Sequence, residues 1–314
     1  MESEKRKLFI DENELDIAQL LLLLWDYKKL IVVFTGIVAV ISVFYALSIP
    51  NTYRSQALLS PVQTQGASGI SSSLGSLGGL ASLAGINLPS MSGNSKDEAL
   101  AVLRSHSFIS NYIVSRDLMV PLMAATGWDH ESNILIINSN VYDVDKKKWI
   151  SKTRGNAEPS LQKAVTKFRS ISEIGNDNKT GFITIHVDSF SPYVARQWVD
   201  WLVEDINEYM MAQEVTRATK SLAFLNEQVS KTTISEIKNV LSELIKSETQ
   251  VIMMSKSTPE YIFKTIDPAI APEIKLGPKR SIICIVSTII GGIISVLLTL
   301  LIHYFNPAWA HKLK

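Results

Sequence analysis

The chain has 314 residues and an almost even charge balance, with 31 Lys and Arg against 30 Asp and Glu. A net charge of +1 gives no electrostatic case for binding nucleic acid. Cys284 is the only cysteine, which excludes disulfides within the chain and metal sites built from several cysteines.

The first 29 residues predict a cytoplasmic tail that carries a short helix at the membrane surface. Residues 11–25 begin with acidic side chains and run into a leucine cluster at 20–24 followed by Trp25. This acidic and aliphatic order favours an interfacial helix, with an ordinary buried helix as the alternative.

Two long apolar stretches predict transmembrane helices at 30–49 and 281–305. Each has roughly 20 residues without a formal charge, which is enough to cross a hydrocarbon core of about 30 Å. A secretory signal would be shorter and would end at a small-residue cleavage site, whereas Pro50 and Asn51 follow the first stretch. Basic clusters at 5–7 and 28–29 favour cytoplasmic ends, a tail at 306–314 and an extracytoplasmic middle at 50–280.

The middle begins with strand-like residues 53–59 and then a Gly/Ser-rich loop at 64–95. Within this loop aliphatic residues recur every three positions, at Leu74, Leu77, Leu80, Leu83 and Ile86. A flexible excursion explains the composition, while the regular aliphatics favour a segment that becomes ordered against a partner.

The residues between the loop and the long helical region predict a series of short helices and strands. Two short helices are expected from 96 to 122, the second capped by Ser107, followed by a buried strand at 134–137. An amphipathic helix after Pro159, a turn at 175–181 and a half-buried strand at 183–187 follow. Residues 260–266 are expected to add a strand to the last of these.

Residues 192–257 predict a long helical arm, because Ser191 and Pro192 form a start signal and neither glycine nor proline occurs from 193 to 258. Apolar residues form two seams with coiled-coil spacing, interrupted by Glu248. The predicted packing and oligomerisation residues are Met211, Val215, Ala218, Leu222, Leu225, Val229, Ile234, Ile237, Leu241, Leu244 and Val251.

A single rod is excluded by the need to return to the membrane. A helix of 65 residues would reach about 100 Å, and the roughly 22 residues before Lys279 span at most about 75 Å. Thr233 and Glu236 form a capping-box pattern, T-x-x-E, in mid-run. We therefore expect a hairpin of about 40 and about 23 residues, its seams packing on each other or on neighbouring subunits.

Two further sets of residues are candidates for packing near the membrane. Ser287, Gly291 and Ser295 lie four apart in the second apolar stretch, a small-residue stripe that permits close helix approach. Pro268, Pro272 and Pro278 mark an extended segment before it.

No catalytic, cofactor-binding or metal-binding residue is predicted. The sequence has no G-x-x-x-x-G-K-[ST], H-E-x-x-H or G-x-S-x-G motif, and its five histidines are scattered. We therefore expect a protein that is not an enzyme and needs no cofactor.

The order of these parts resembles the Wzz-type polysaccharide co-polymerases, the chain length determinants of bacterial surface polysaccharides. The segments that carry the resemblance are LWDYKK at 24–29, YRSQA at 53–57, LGGLASLAG at 77–85, ALAVLRS at 99–105, IDPAIAPE at 266–273 and GPKR at 277–280. Of these segments, the proline-rich ones next to the second apolar stretch, IDPAIAPE and GPKR, are the most specific to the family.

The resemblance implies an α+β inner-membrane protein in which two transmembrane helices flank a periplasmic domain with a small α/β base and a protruding helical hairpin. It implies a ring-like homo-oligomer that acts with a separate membrane polymerase to set the length of lipopolysaccharide O-antigen or a related polymer. A growing lipid-linked polysaccharide is a further expected partner. Only nine residues follow Phe305, so any kinase is expected to be a separate chain.

Two other functions stay open at this point. One is an export adaptor for capsule or exopolysaccharide that works with a detached kinase and an outer-membrane channel. The other is a glycan enzyme, whose purified form would alter a polysaccharide without any partner.

Overall fold

The computed structural model describes residues 24–25, 27–62, 95–150 and 158–305, with side chains described as far as residue 302. The predicted interfacial helix, Gly/Ser-rich loop and carboxy-terminal tail therefore lie largely outside the described residues. The chain divides into two compact units. The span unit is Met1–Pro50 with Gly277–Lys314, and the central unit is Asn51–Leu276.

Helices and strands are mixed along the described parts of the chain. The helices are α1 Lys28–Ser48, α2 Ser95–Arg104, α3 His106–Ser115, α4 Met119–Met123, α5 Leu161–Ile171, α6 Pro192–Lys231, α7 Ser235–Ser257 and α8 Arg280–Phe305. The strands are β1 Tyr53–Pro61, β2 Ala125–Asp129, β3 Ile134–Ile137, β4 Tyr142–Asp143, β5 Lys148–Trp149, β6 Ser172–Asn176, β7 Ile183–Ser189 and β8 Phe263–Asp267.

The span unit consists of α1 packed against α8. Both helices are long and apolar enough to cross a membrane, with mean hydropathies of 2.7 and 2.6 over their most apolar windows. Most of their large hydrophobic side chains face outward, as a lipid-facing helix requires. The fold prediction of two candidate transmembrane helices around an α+β domain is confirmed.

The central unit is built on a four-stranded antiparallel sheet with the order β6-β7-β1-β8. Buried and less buried side chains alternate along β1, and this alternation sets its register with β7. Ser55, Ala57 and Leu59 of β1 are buried and lie opposite the three buried residues of β7. Those partners are Val187, Ile185 and Ile183. The strand expected near 260–266 is β8, although it pairs with β1 and not with β7.

The first part of α6 and α5 pack on one face of the sheet, and α2 and α3 pack on these helices in the same core. Tyr112, Phe168 and Trp198 form the aromatic centre of this core, with ring centroids 5.3 Å apart for the first pair and 6.3 Å for the second. The cap of α3 is Ser105, whose hydroxyl accepts a hydrogen bond from Phe108 N, so the prediction of Ser107 is wrong. Ser105 has extended backbone and the helix begins at His106, so Ser107 lies inside the first turn.

Residues 134–137 form a strand, but the prediction that this strand is buried is wrong. Ile134 is 64% exposed and Ile136 is 50% exposed. Among the described residues the strand pairs with β2 in a two-stranded ribbon, and Ile134 and Ile136 lie on its exposed face. Trp128 on the other face contacts Tyr53 and Tyr193.

The predicted helical hairpin is confirmed. α6 has 40 residues, α7 has 23, and the two pack against each other. The chain leaves helical geometry at 232–234, but not through the expected capping box. The N-cap of α7 is Ile234, and no side chain forms a capping hydrogen bond there. The break therefore follows from the packing of the two helices, not from a strong local stop signal.

Candidate interaction surfaces

The hairpin places the predicted seam residues in three environments. Ala218 and Leu225 are buried, whereas Ile234 and Ile237 at the start of α7 are exposed. The remaining seam residues are half-buried: Met211, Val215, Leu222, Val229, Leu241, Leu244 and Val251. The contact between α6 and α7 therefore brings together most of the two seams and leaves the first turn of α7 uncovered.

Several large apolar side chains on the hairpin face solvent in the single chain. Val240 continues the exposed stripe from Ile237, and Phe224 is exposed on α6. Met253 and Met254 are exposed near the end of α7. Apolar area of this kind on a regular helix face is typical of a surface that meets another molecule.

Glu248 lies where the second seam predicts an apolar residue, and the structure gives it polar partners. Its Oε1 accepts a hydrogen bond from Ser221 Oγ at 3.0 Å and lies 3.6 Å from Arg217 Nη1. Arg217 also donates to both carboxylate oxygens of Glu214, and these hydrogen bonds raise the pKa of the guanidinium. Glu248 Oε2 is enclosed without a hydrogen-bond partner. The hairpin thus contains a partly satisfied ionic group between its two helices.

The base of the hairpin is fixed by Asn207, which is only 4% exposed. Its Oδ1 accepts hydrogen bonds from the main-chain N–H groups of Ile262 and Phe263 at 2.9 and 3.0 Å. Its Nδ2 donates to the carbonyls of Val203 and Phe263 at 2.9 and 3.1 Å. Every donor and acceptor site of this amide is therefore used.

Two arginine–carboxylate pairs stabilise the central unit at its surface. Arg54 Nε and Nη2 bind the two oxygens of Asp188, its cross-strand partner, at 2.7 and 2.8 Å. Arg116, which directly follows α3, donates to Asp205 and Glu204 of α6. Hydrogen bonds to the carboxylates raise the pKa of both arginines, so each stays charged.

Sequence reasoning missed Asn207 and both arginine pairs. Asn207 carries a weak signal, because a lone amide lies between the apolar residues Ile206 and Met210 on a helix that otherwise buries this face. Arg54 and Arg116 carry no local sequence signal, since Asp188 and Asp205 lie 134 and 89 positions away from them.

The small-residue stripe of α8 contacts α1 at two of its three predicted positions. Gly291 is packed so closely that a Cβ atom there would lie 2.8 Å from Val38 Cγ1. Ser295 is fully buried, and its Oγ lies 3.4 Å from Thr35 Oγ1. Ser287 is only half-buried. The geometry fits the close approach that small residues permit between membrane helices.

The predicted proline segment runs beside β1. Pro268 is exposed, while Pro272 and Pro278 are half-buried. Ser55 Oγ donates to the carbonyl of Ile270 at 2.7 Å, and Leu276 N donates to the carbonyl of Thr52 at 2.8 Å. The segment is therefore tied at both ends to the chain that follows α1.

The described residues offer no metal-binding arrangement, since among them no group of three or more His, Cys, Asp or Glu is placed to hold an ion. The described residues instead offer three candidate contact surfaces. These are the α6–α7 hairpin with its exposed apolar residues, the closely packed pair of α1 and α8, and the proline segment that precedes α8.

This architecture defines a class of protein, a mixed α+β domain that carries a helical hairpin and is flanked by two candidate membrane helices. The family model of the Wzz chain length determinant protein matches residues 13–124. The resemblance to the Wzz-type polysaccharide co-polymerases is thereby confirmed over that part of the chain.

Solved structures give a weaker likeness. A full-length bacterial polysaccharide co-polymerase is 12% identical, with a TM-score of 0.41 over 93% of this chain and 99% of that one. A fragment of WzzB, a polysaccharide co-polymerase from Salmonella Typhimurium, is 13% identical, with a TM-score of 0.29 over 72% of this chain and 100% of that one. No curated protein matches the chain. Because both scores are low, the family resemblance depends on the match over residues 13–124.

Proposed function

We propose that the chain is a non-enzymatic regulator of polysaccharide chain length in the bacterial inner membrane. The observation that carries this proposal is the match of residues 13–124 to the chain length determinant family. The polymer we propose is lipopolysaccharide O-antigen or a related surface polysaccharide, and the partner is a separate membrane polymerase.

The proposed topology places both ends of the chain in the cytoplasm and the central unit in the periplasm. Two helices of sufficient length and hydropathy, one before the central unit and one after it, support this arrangement. An even number of crossings returns the chain to the side where it began.

The proposed assembly is a ring-like homo-oligomer in which the hairpin forms part of the subunit contact. Ile234, Ile237 and Val240 support the proposal, because the single chain leaves these side chains exposed on one short stretch of helix. A ring of fixed size would present the growing lipid-linked polymer, or its polymerase, with a surface of defined extent.

A deletion strain separates the proposed role from its alternatives. Without the gene, the ladder of surface polysaccharide lengths on a gel should lose its preferred length, and the wild-type gene should restore it. An unchanged ladder would contradict the proposal. Loss of secreted polymer with unaltered lengths would instead favour an export adaptor.

Two charge-adding variants then test the hairpin contact. Ile237→Asp places a carboxylate on the exposed apolar stripe, whereas Asn239→Asp places one on an exposed polar position of the same turn. We expect the first to alter both the size of the detergent-solubilised assembly and the ladder, and the second to alter neither. If Ile237→Asp leaves the assembly intact, this part of α7 is not a subunit contact.

A further inference from the structure

The segment that precedes α8 exposes aliphatic side chains to an unusual degree. Ile270 is 66% exposed, Ile274 is 83% exposed and Leu276 is 42% exposed. Water contact with this much apolar surface is unfavourable, at about 25 cal/mol for each Å². Such a cluster indicates a surface that something apolar covers.

The exposure is not that of an untethered loop, because the backbone of this segment is held in place. Ile270 accepts a hydrogen bond from Ser55 Oγ, Leu276 donates one to Thr52, and Ala269 is buried in the core. The aliphatic side chains therefore project from a fixed backbone.

Covalent connections limit how far this segment can lie from the bilayer. Leu276 precedes the first residue of α8 by four positions, and Thr52 follows the last residue of α1 by four. Four residues span at most about 14 Å, so the hydrogen bond between Leu276 and Thr52 joins two points that are both within reach of a membrane crossing. The polar region on each side of the hydrocarbon core is itself roughly 5–8 Å deep.

The charges around the aliphatic side chains complement phospholipid headgroups. Lys275 and Lys279 are exposed on either side of Leu276, and the opposing charge in the same stretch comes from Glu273. Aliphatic side chains interleaved with lysines are typical of segments that lie in the interface between headgroups and acyl chains.

We propose that residues 270–276 form an interfacial anchor that rests on the phospholipid surface. Ile274 and Leu276 enter the boundary between headgroups and acyl chains, and Lys275 and Lys279 contact lipid phosphates. This anchor does not depend on the chain-length function. It would fix the start of the central unit to the bilayer surface next to both crossings.

Fluorescence quenching by lipids tests the anchor in the full-length protein. A Cys284→Ser background provides a single labelling site, and the Ile274→Cys variant is labelled with bimane and placed in nanodiscs. Lipids brominated near the headgroup should reduce its emission at least twofold relative to ordinary lipids. The matched control is Asn239→Cys, at an exposed position of α7 outside the proposed subunit contact, whose label should not respond to bromination.

Two other fluorescence outcomes would overturn the anchor. A label at position 274 that is quenched by aqueous iodide and not by brominated lipid would show that the segment faces water. A label protected from both would show that a second protein chain covers it. A thermal midpoint equal to that of the background protein would show that the substitution leaves the fold intact.

Discussion

The side-chain amide of Asn207 binds both main-chain polar groups of Phe263, accepting from its N–H at 3.0 Å and donating to its carbonyl at 3.1 Å. Asn207 lies within α6, and Phe263 is the first residue of β8. The contact therefore joins the long helix to the point where the chain, having left α7, enters the sheet. A side chain here replaces the ladder hydrogen bonds that an edge strand lacks.

We expect Asn207→Leu to destabilise the central unit by roughly 3 kcal/mol or more. Leucine has a similar volume but leaves the N–H groups of Ile262 and Phe263 buried without an acceptor, and each such group costs about 1–3 kcal/mol. Thermal unfolding in detergent measures the effect. Asn226→Leu, at an exposed position of the same helix, should change the midpoint little. Equal midpoints for the two variants would contradict the assigned role of Asn207.

Glu248→Leu should stabilise the hairpin by roughly 1 kcal/mol. The substitution completes the apolar seam and removes a carboxylate whose enclosed Oε2 has no hydrogen-bond partner. Arg217 keeps its charge partner, because Glu214 still binds it. The measurement is the unfolding midpoint, with Glu243→Leu as the exposed control on the same helix. A lower midpoint for Glu248→Leu would show that the ionic contact favours folding.

Gly291→Ala should weaken the pairing of α1 with α8, at a cost of about 1–3 kcal/mol. The added Cβ would lie 2.8 Å from Val38 Cγ1, and a valine side chain has little freedom to move. Gly292→Ala is a matched control, since nothing lies within 4 Å of the Cβ position there. Thermal unfolding in nanodiscs should separate the two variants, and adding Val38→Ala should restore the first. Without such restoration, steric contact with Val38 is not the cause.

Stability should fall in alkali because of Tyr112. Burial raises the pKa of this phenol above its ordinary value of 10.0, and its hydroxyl donates to the carbonyl of Trp198 at 2.8 Å. The unfolded chain therefore releases a proton above pH 10 that the folded chain retains, so the stabilisation is complete below pH 10 and decreases as the pH rises further.

Tyr112→Phe should remove this pH dependence while costing about 1 kcal/mol at neutral pH through the lost hydrogen bond. Unfolding midpoints at pH 7, 9.5 and 11 would measure both effects. Tyr193→Phe, at an exposed tyrosine, serves as the control. An unchanged decline between pH 9.5 and pH 11 in Tyr112→Phe would assign the alkaline sensitivity to other groups.

The helices with strong start signals were predictable from sequence, because their determinants are local. Ser191 caps α6 and Pro192 is its first residue, as the sequence indicates. The hairpin followed from a length argument that needs only the rise of a helix and the reach of an extended chain. The capping box at Thr233 marked the position of the break but not its chemistry, since Ile234 is the N-cap of α7 and no side chain forms a capping hydrogen bond there.

The contacts that hold the central unit together were not predictable, because they join distant parts of the sequence. Asn207 meets residues 55 and 56 positions away, and nothing local identifies them. The prediction that residues 134–137 form a buried strand was wrong for a related reason. A run of four apolar residues indicates burial on both faces, but whether another layer covers the second face is decided elsewhere in the chain.

The helix α6 has one part in the core of the central unit and one part in the hairpin, and this has an evolutionary consequence. Its buried residues are concentrated from Pro192 to Met210, where it belongs to the core, whereas beyond this stretch it packs mainly on α7. Inserting seven residues into the later part of α6, and seven into α7 opposite them, would preserve the seam phase and leave the core sequence untouched. Natural variation could thus lengthen or shorten the arm in heptad steps, with selection acting on its dimensions separately from the domain that supports it.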